Sequence, residues 1–361
     1  MTEADLGRLR DAIDAVDERL LDLLNERAEL AREVGELKQR QGATVFRPDR
    51  EAAVINRLQT RGGALRATSI AHIWREVMSA CRVLEGAQRV AFLGPAGTFS
   101  QQAAHAIFGT SVAEVPGRSL EEVFRAVEGA SADFAVVPIE NSVEGFVTRT
   151  LDLLDASPAH IVAEAGLMVR HQLLRATDGT DGIAAVLAHP QALAQCAGWL
   201  SDHLPDAERR AVASNAEGAR LVRERPDWAA IGSERAGVVW GLHTVAPAIQ
   251  DDAQNRTRFA VICLPETLPQ PVASGRDGTS LAVSIQNRPG ALHDLLTSLK
   301  AEEVNMLRFQ SRQARDSGRD YVFFIDLAGH RTDPTVAAAL ASLEAASGAS
   351  VKVLGSYPRS D

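Results

Sequence analysis

Apolar residues recur at alternating spacings of three and four from near the start of the chain. The series is Leu6, Leu9, Ile13, Val16, Leu20, Leu23, Leu30, Val34 and Leu37, with Arg27 at the one remaining position. That heptad seam predicts one long helix, about Asp5 to Gln39, burying a stripe against partner helices. At 1.5 Å per residue it would be roughly 50 Å long. A domain this small cannot bury so long a stripe by itself, so dimerisation or fold-back of other helices is expected. "FRPDREAAVINRL" predicts a second helix with Pro48 in its first turn. Ser69 is expected to cap a third, whose stripe is Ile70, Ile73, Trp74, Val77, Cys81 and Leu84 and which Gly86 ends.

The rhythm changes after residue 88. Short apolar runs such as "RVAFLG", "FAVVPIE", "AAVLAHP", "WAAIGS" and "RFAVICL" alternate with amphipathic helical stretches up to about residue 266. This is an α/β pattern. Polar and Gly-rich residues gather where strands end and helices begin, the places where open α/β sheets bind ligands. "PETLPQPVASGRDGT" reads as a linker. Residues 279–358 then read strand, helix, strand, strand, helix, strand, the ferredoxin-like order βαββαβ. Three domains are expected: 1–86, 88–266 and 279–358.

The chain has 361 residues, 45% of them hydrophobic and 24% charged, with a formal net charge of −9. That balance argues against nucleic acid or an anionic membrane surface as a general partner. Cys81, Cys196 and Cys263 lie far apart with no CxxC, and read as free thiols in a reducing cytoplasm rather than as disulfides or a zinc site. No apolar run is long enough to span a bilayer and the first residues lack a signal pattern, so a cytoplasmic protein is expected.

Arg27 is the anomaly of the seam. It could fix register, paired with Glu18, Glu26, Glu29 or Glu33. Alternatively its counter-ion is a ligand, since a buried cation costs several kcal/mol unless paired. Lys38 lies eleven residues on, at nearly the same azimuth and about 16 Å along the axis. The two could bracket a small dianion. Arg10 lies about 25 Å from Arg27 on the same helix and could join that pocket only from a partner chain. Cys81 and Glu85 share a face of the third helix. Arg47, Arg50 and Glu51 open the second.

Together these residues resemble the all-helical chorismate mutase family, a domain-swapped dimer of three-helix chains. The resemblance covers nearly all of residues 5–85. It implies that Arg27, Lys38, Arg47, Arg50, Glu51, Cys81 and Glu85 line one pocket, with Arg10 supplied by the other protomer. The implied reaction turns chorismate into prephenate by a unimolecular rearrangement that needs no cofactor. Arg10, Arg27 and Arg50 would hold carboxylates, Lys38 would donate to the ether oxygen and Glu51 would hold the hydroxyl. Some members carry Gln at the position of Glu85. A Glu donates to the ether oxygen only when protonated, so the rate is expected to fall as pH rises.

In the α/β segment, "VAFLGPAGTFSQQAA" is strand, loop and a helix start carrying Thr98 and Ser100. It is neither a Walker loop nor a dinucleotide fingerprint. "VVPIENSVEG", "AHPQALAQC", "ASNAEGARL", "AIGSERAG" and "QNRTRFAVI" repeat the strand-to-helix design or place polar residues beside a strand. Each alone is most simply a helix cap or turn. Several together point to a cleft for a small polyanion. "GPAGTFS", "VVPIENSVEG", "HPQ" and "TRF" resemble prephenate dehydratase over about residues 88–266. The resemblance implies two α/β lobes around a cleft, similar to solute-binding proteins, and conversion of prephenate to phenylpyruvate with no metal or redox cofactor. Thr257 would anchor or protonate the departing hydroxyl, and Arg258 would bind a carboxylate. Thr98, Ser100, Asn141, Ser142, Ser214 and Asn215 would line the cleft.

"NRPGALHDLL" and the final strand order resemble an ACT domain, which binds amino acids. This implies a phenylalanine site built from Gly290, Ala291 and Leu292 with Ser311 and Arg312. The second motif reads "QSRQ" here, without the family's acid and proline. The three resemblances imply a multifunctional, allosterically regulated isomerase and lyase of phenylalanine biosynthesis, a homodimer or higher homo-oligomer. The rival reading is a non-catalytic dimeric sensor of small molecules.

Overall fold

The computed structural model describes residues 3–41, 46–267, 273–313, 321–345 and 350–359. They form two compact units, residues 1–88 with 108–113 and residues 89–107 with 114–361. No helix among the described residues is long and apolar enough to cross a membrane.

The first unit is helical. α1 (Glu3–Gln41) carries the seam, α3 (Ala67–Glu85) packs on it, and α2 (Pro48–Arg61) packs on α3. Pro48 opens α2 as expected. α3 starts two residues earlier than Ser69, with Arg66 as an N-cap that makes no side-chain cap bond. Gly35 sets the approach of α1 to α3. A Cβ there would lie 2.6 Å from the Glu85 Cα, so only glycine lets the two backbones come this close. Within one chain the seam is open: Leu9, Ile13, Val16, Leu20 and Leu23 are all exposed.

The second unit begins with a lobe of β1 (Arg89–Leu93), α4 (Phe99–Phe108), β2 (Ala113–Gly117), α5 (Leu120–Glu128), β3 (Phe134–Asn141), β4 (Gly145–Phe146), α6 (Thr148–Ala156) and β5 (His160–Met168). The chain then builds a second lobe. It comprises β6 (Gln172–Arg175), β7 (Ala185–Ala188), α7 (Pro190–Gln195), α8 (Ala197–His203), β8 (Glu208–Ala211), α9 (Asn215–Val222), β9 (Trp228–Gly232), α10 (Glu234–Trp240) and β10 (His243–Ala246). It returns through β11 (Arg256–Cys263), which inserts antiparallel between β3 and β5. The sheet orders are β2-β1-β3-β11-β5 and β10-β6-β9-β7-β8. Where the chain crosses between lobes, the Val169 N–H donates to the Asn255 carbonyl at 2.8 Å and the Ile249 N–H to the His171 carbonyl at 2.9 Å. Ser119, Ser214 and Ser233 cap α5, α9 and α10 through their hydroxyls, satisfying N–H groups that have no partner in the first turn.

Residues 268–272 of the expected linker lie outside the described residues. The chain then forms β12 (Asp277–Ile285), α11 (Ala291–Ala301), β13 (Met306–Gln313), β14 (Tyr321–Ala328), α12 (Pro334–Ala345) and β15 (Ser350–Pro358). The antiparallel sheet order β13-β14-β12-β15 is the ferredoxin-like one. One face buries Leu281, Val283, Phe323 and Ile325 against Leu295, Leu299, Val336 and Leu343 of the two helices. The other joins the first lobe, where Ala282, Phe324 and Leu354 share a core with Leu151, Leu154 and Ile161. Lys352 donates to the carbonyls of Leu154, Asp155 and Ser157 at 2.8, 2.7 and 2.6 Å. A cation suits these carbonyls at the end of α6.

Candidate active sites

The helical unit holds a cavity of about 410 Å³. Arg27, Lys38, Arg47, Arg50, Glu51, Cys81 and Glu85 line it together, the set that the chorismate mutase resemblance implies. Lys38 Nζ lies 2.8 Å from Glu85, held there by the close approach at Gly35. Arg47 is bidentate to Asp49, and that hydrogen bond raises its pKa. Arg27 has no ion-pair partner among the described residues. Glu18, Glu26, Glu29 and Glu33 of its own helix do not hold it. Arg10 is exposed on α1 and does not line the cavity of its own chain.

The sequence pattern missed Arg82. It sits one turn from Met78 and Glu85 on α3, is buried, and pairs with Glu51 at 2.9 Å. In sequence it reads as one more surface arginine; only the packing of α2 on α3 turns it inward. The cavity and its rim thus combine Arg27, Lys38, Arg47, Arg50 and Arg82 with Asp49, Glu51 and Glu85. The surplus is positive, as a dianionic ligand requires.

The second unit holds a larger cavity of about 550 Å³ lined from both lobes. Thr98, Ser100, Asn141, Ser214, Asn215 and Thr257 line it as expected. Several double as caps. The Thr98 hydroxyl accepts from the Gln101 N–H and donates to the Leu93 carbonyl. Asn215 Oδ1 accepts from the His189 N–H.

Asn141 has a fixed orientation. Its Oδ1 accepts from the N–H groups of Val143 and Glu144 at 3.0 and 3.2 Å, so its amide must point the other way. Its Nδ2 donates to Asn255 Oδ1 and to the Thr257 hydroxyl, both at 2.9 Å. The Thr257 oxygen therefore accepts a bond, while its proton has no acceptor among the described residues. The hydroxyl is set to donate into the cavity.

Two expectations are corrected. Arg258 does not line the cleft. Neighbours along a strand face opposite sides, so Thr257 faces the cavity and Arg258 the other face of the sheet. There it is buried and meets Glu140, Glu164 and Asp326 at 3.1, 3.0 and 3.1 Å. Burial disfavours its charge, but Asp326, Tyr357 and Glu164 outweigh burial and raise its pKa. Ser142 does not line the cavity either; its hydroxyl accepts from the Arg256 N–H at 2.9 Å.

The cleft also contains His171 and Gln195, which the strand-end pattern does not single out. His171 Nε2 meets Gln195 Oε1 at 2.9 Å, and Gln195 in turn accepts from Asn255 Nδ2 at 3.2 Å. Burial lowers the His171 pKa, against the Gln195 hydrogen bond. Their signal was weak because His171 lies where the chain crosses between lobes, and Gln195 lies at the far end of α7, away from the strand-to-helix turn that "AHPQALAQC" marks.

In the C-terminal domain Gly290 has φ +84 and is the residue before α11, so the turn there favours glycine. Ala291 and Leu292 begin the helix. Ser311 is exposed on β13. Arg312, expected to face an amino acid, instead pairs with Asp152 of α6 at 3.0 Å.

A cation-rich helical pocket, a two-lobed cleft with an aimed hydroxyl and a ferredoxin-like domain define a multidomain protein built for small organic acids. The comparisons are more specific. The chain matches type II chorismate mutase over residues 9–86, prephenate dehydratase over 90–267 and the ACT domain over 279–345. A bifunctional chorismate mutase/prephenate dehydratase of Neisseria gonorrhoeae is 47% identical over 97% of this chain and 96% of its own. A prephenate dehydratase from Arthrobacter aurescens, solved in complex with L-Phe, is 35% identical with a TM-score of 0.68, covering 76% of this chain and 90% of that one. A structure described as a quorum quenching acylase is 30% identical with the same TM-score of 0.68, covering 75% of this chain and 98% of that one. The chain belongs to the family of bifunctional chorismate mutase/prephenate dehydratases, with a C-terminal ACT domain.

Proposed function

We propose that the helical pocket rearranges chorismate to prephenate and that the cleft then converts prephenate to phenylpyruvate, carbon dioxide and water. The observation that carries this is the pairing, in one chain, of the cationic pocket with the Asn141–Thr257 arrangement. In the pocket no nucleophile is needed. Arg27 and Arg50 bind the two carboxylates, Glu51 accepts the substrate hydroxyl, and Lys38 with Glu85 faces the ether oxygen. Catalysis is selection of the compact conformer and stabilisation of charge on the breaking bond.

In the cleft, Thr257 donates to the departing hydroxyl while Asn141 fixes its oxygen. A threonine hydroxyl is a weak acid, so positioning outweighs full proton transfer. The N–H groups at the starts of α4 and α9 suit the substrate carboxylates. Arg258 takes no part in binding. The same alignment gives no support to an acylase: the hydroxyl of Thr257 is bonded to an amide, not to a base that would make it a nucleophile.

The chain acts as a cytoplasmic homodimer in this reading. The exposed seam of α1 supports a second α1 packed along it, which would also bring Arg10 to the partner's pocket. The ACT domain takes phenylalanine as effector at Gly290, Ala291, Leu292 and Ser311, with Arg312 acting through Asp152. The test is direct. Protein incubated with chorismate and no added cofactor should release phenylpyruvate, read by its absorbance, and phenylalanine should slow that release. Formation of neither prephenate nor phenylpyruvate would leave a sensor.

A further inference from the structure

Arg82 is buried in the helical pocket and is held by protein at both of its Nη atoms. Its Nη1 donates to Glu51 at 2.9 Å and its Nη2 donates to the Phe108 carbonyl. Its guanidinium carbon lies 5.5 Å from the Phe46 ring centre and 5.8 Å from that of Phe108. Those rings are themselves 4.5 Å apart and fully buried. The segment that supplies Phe108 is latched to α3. Thr110 bonds to Glu76 through both its N–H and its hydroxyl, and the Ser111 N–H donates to the Ser79 hydroxyl. Gly109 lies so close that a Cβ there would be 2.4 Å from the Ser79 Cβ.

We propose that Arg82 is a positioning residue of the mutase reaction: held by Phe46 and the Phe108 carbonyl, it keeps the Glu51 carboxylate ionised and aimed at the substrate hydroxyl. This rests on the reading of Glu51 as the hydroxyl acceptor. A guanidinium with two bonds and two rings around it has one orientation, so the carboxylate it grips has one too. Burial would otherwise favour the protonated acid, a poorer acceptor, and it does raise the Glu51 pKa despite Arg82. The other charges around Glu51 are Arg47 and Arg50 on its own helix side, Lys38 and Arg27 from α1, and Arg75 and Glu85 from α3. Arg75 and Lys38 help Arg82, and Glu85 opposes it. Among the described residues, Arg82 is the one with a hydrogen bond to the carboxylate. It follows that the mutase pocket is completed by Phe108, a residue beyond the end of the mutase family match at residue 86.

The experiment is mutase kcat/KM against pH for the full-length wild type, Arg82→Met, Arg82→Lys, Glu51→Gln and Arg82→Met/Glu51→Gln. Arg82→Met should lose about tenfold relative to wild type at neutral pH, and the loss relative to wild type at the same pH should shrink as pH rises and Glu51 gives up its proton. Arg82→Lys, which keeps the charge, should stay within about threefold of wild type at neutral pH. The double variant should be no worse than Glu51→Gln alone, because without a carboxylate Arg82 has nothing to hold. A loss in Arg82→Met that is flat with pH, an equal loss in Arg82→Lys, or additive losses in the double variant would overturn the proposal while leaving Glu51 as the hydroxyl ligand. Wild-type activity of Glu51→Gln would overturn both.

Discussion

Lys38 and Glu85 meet at 2.8 Å across the helical pocket, from two helices that approach closely at Gly35. The cation assigned to the ether oxygen therefore also has a carboxylate within hydrogen-bond distance. Substrate must share or displace that pair. Two roles remain for Glu85: it donates to the ether oxygen as an acid, or it only holds Lys38.

Glu85→Gln separates them. A Gln amide donates at any pH, a Glu only when protonated. If Glu85 is a donor, wild-type mutase kcat/KM falls as pH rises and the variant's does not. Parallel profiles would leave Glu85 as a holder of Lys38.

Arg27 carries the second expectation for this pocket. It has no ion-pair partner among the described residues and lines the cavity. Arg27→Ala should therefore cost about a hundredfold or more in mutase kcat/KM, through loss of a charge-assisted bond to the ligand. Its cost to stability should stay below about 1 kcal/mol, because no protein carboxylate is orphaned. Denaturant unfolding beside kinetics is the check. A variant that mainly unfolds would make Arg27 a register residue of the seam.

Helical geometry converts spacing into azimuth, so the sequence alone related Arg27 to Lys38 and Cys81 to Glu85; that Glu51 and both pairs share one pocket came from the family resemblance. The sequence could not place Arg82, since which way an arginine turns depends on the neighbouring helix. Arg258 failed for a related reason. "TRF" groups three residues that a strand divides between two faces. The motif therefore combines a cleft residue with one that ties β11 to β14 of the C-terminal sheet. His171 and Gln195 were illegible because nothing local marks a residue whose partner lies far along the chain, Gln195 for His171 and Asn255 for Gln195.

Arg258 and Thr257, adjacent in sequence, should fail differently. Arg258→Met removes the buried guanidinium that Glu140, Glu164 and Asp326 share and leaves Glu140 and Asp326 with the longer contacts to Arg308, and breaking such a buried group costs about 3–5 kcal/mol. Its signature is a lowered unfolding midpoint. In the fraction that folds, KM for prephenate should stay close to wild type. Thr257→Ala should leave stability nearly unchanged, lower dehydratase kcat by about a hundredfold or more, and spare the mutase. A large rise in KM from Arg258→Met in stable protein would restore it as a substrate ligand.

His171 gives the chain an acid-side weakness. It is buried in the cleft, and burial lowers its pKa beneath the ordinary 6.5. Below about pH 6.5 the unfolded chain takes up a proton at this residue that the folded chain refuses. The unfolded state then binds more protons, so stability is fully present above that pH and falls as pH drops toward the lowered folded value. One such histidine tilts stability by up to about 1.4 kcal/mol per pH unit within the window. His160 adds in the same direction, its pKa lowered by burial and by Arg331 and Lys352. Thermal unfolding followed from pH 7.5 to 5 should show a falling midpoint in the wild type and a shallower fall in His171→Gln. Equal slopes would mean that His171 takes its proton as readily folded as unfolded.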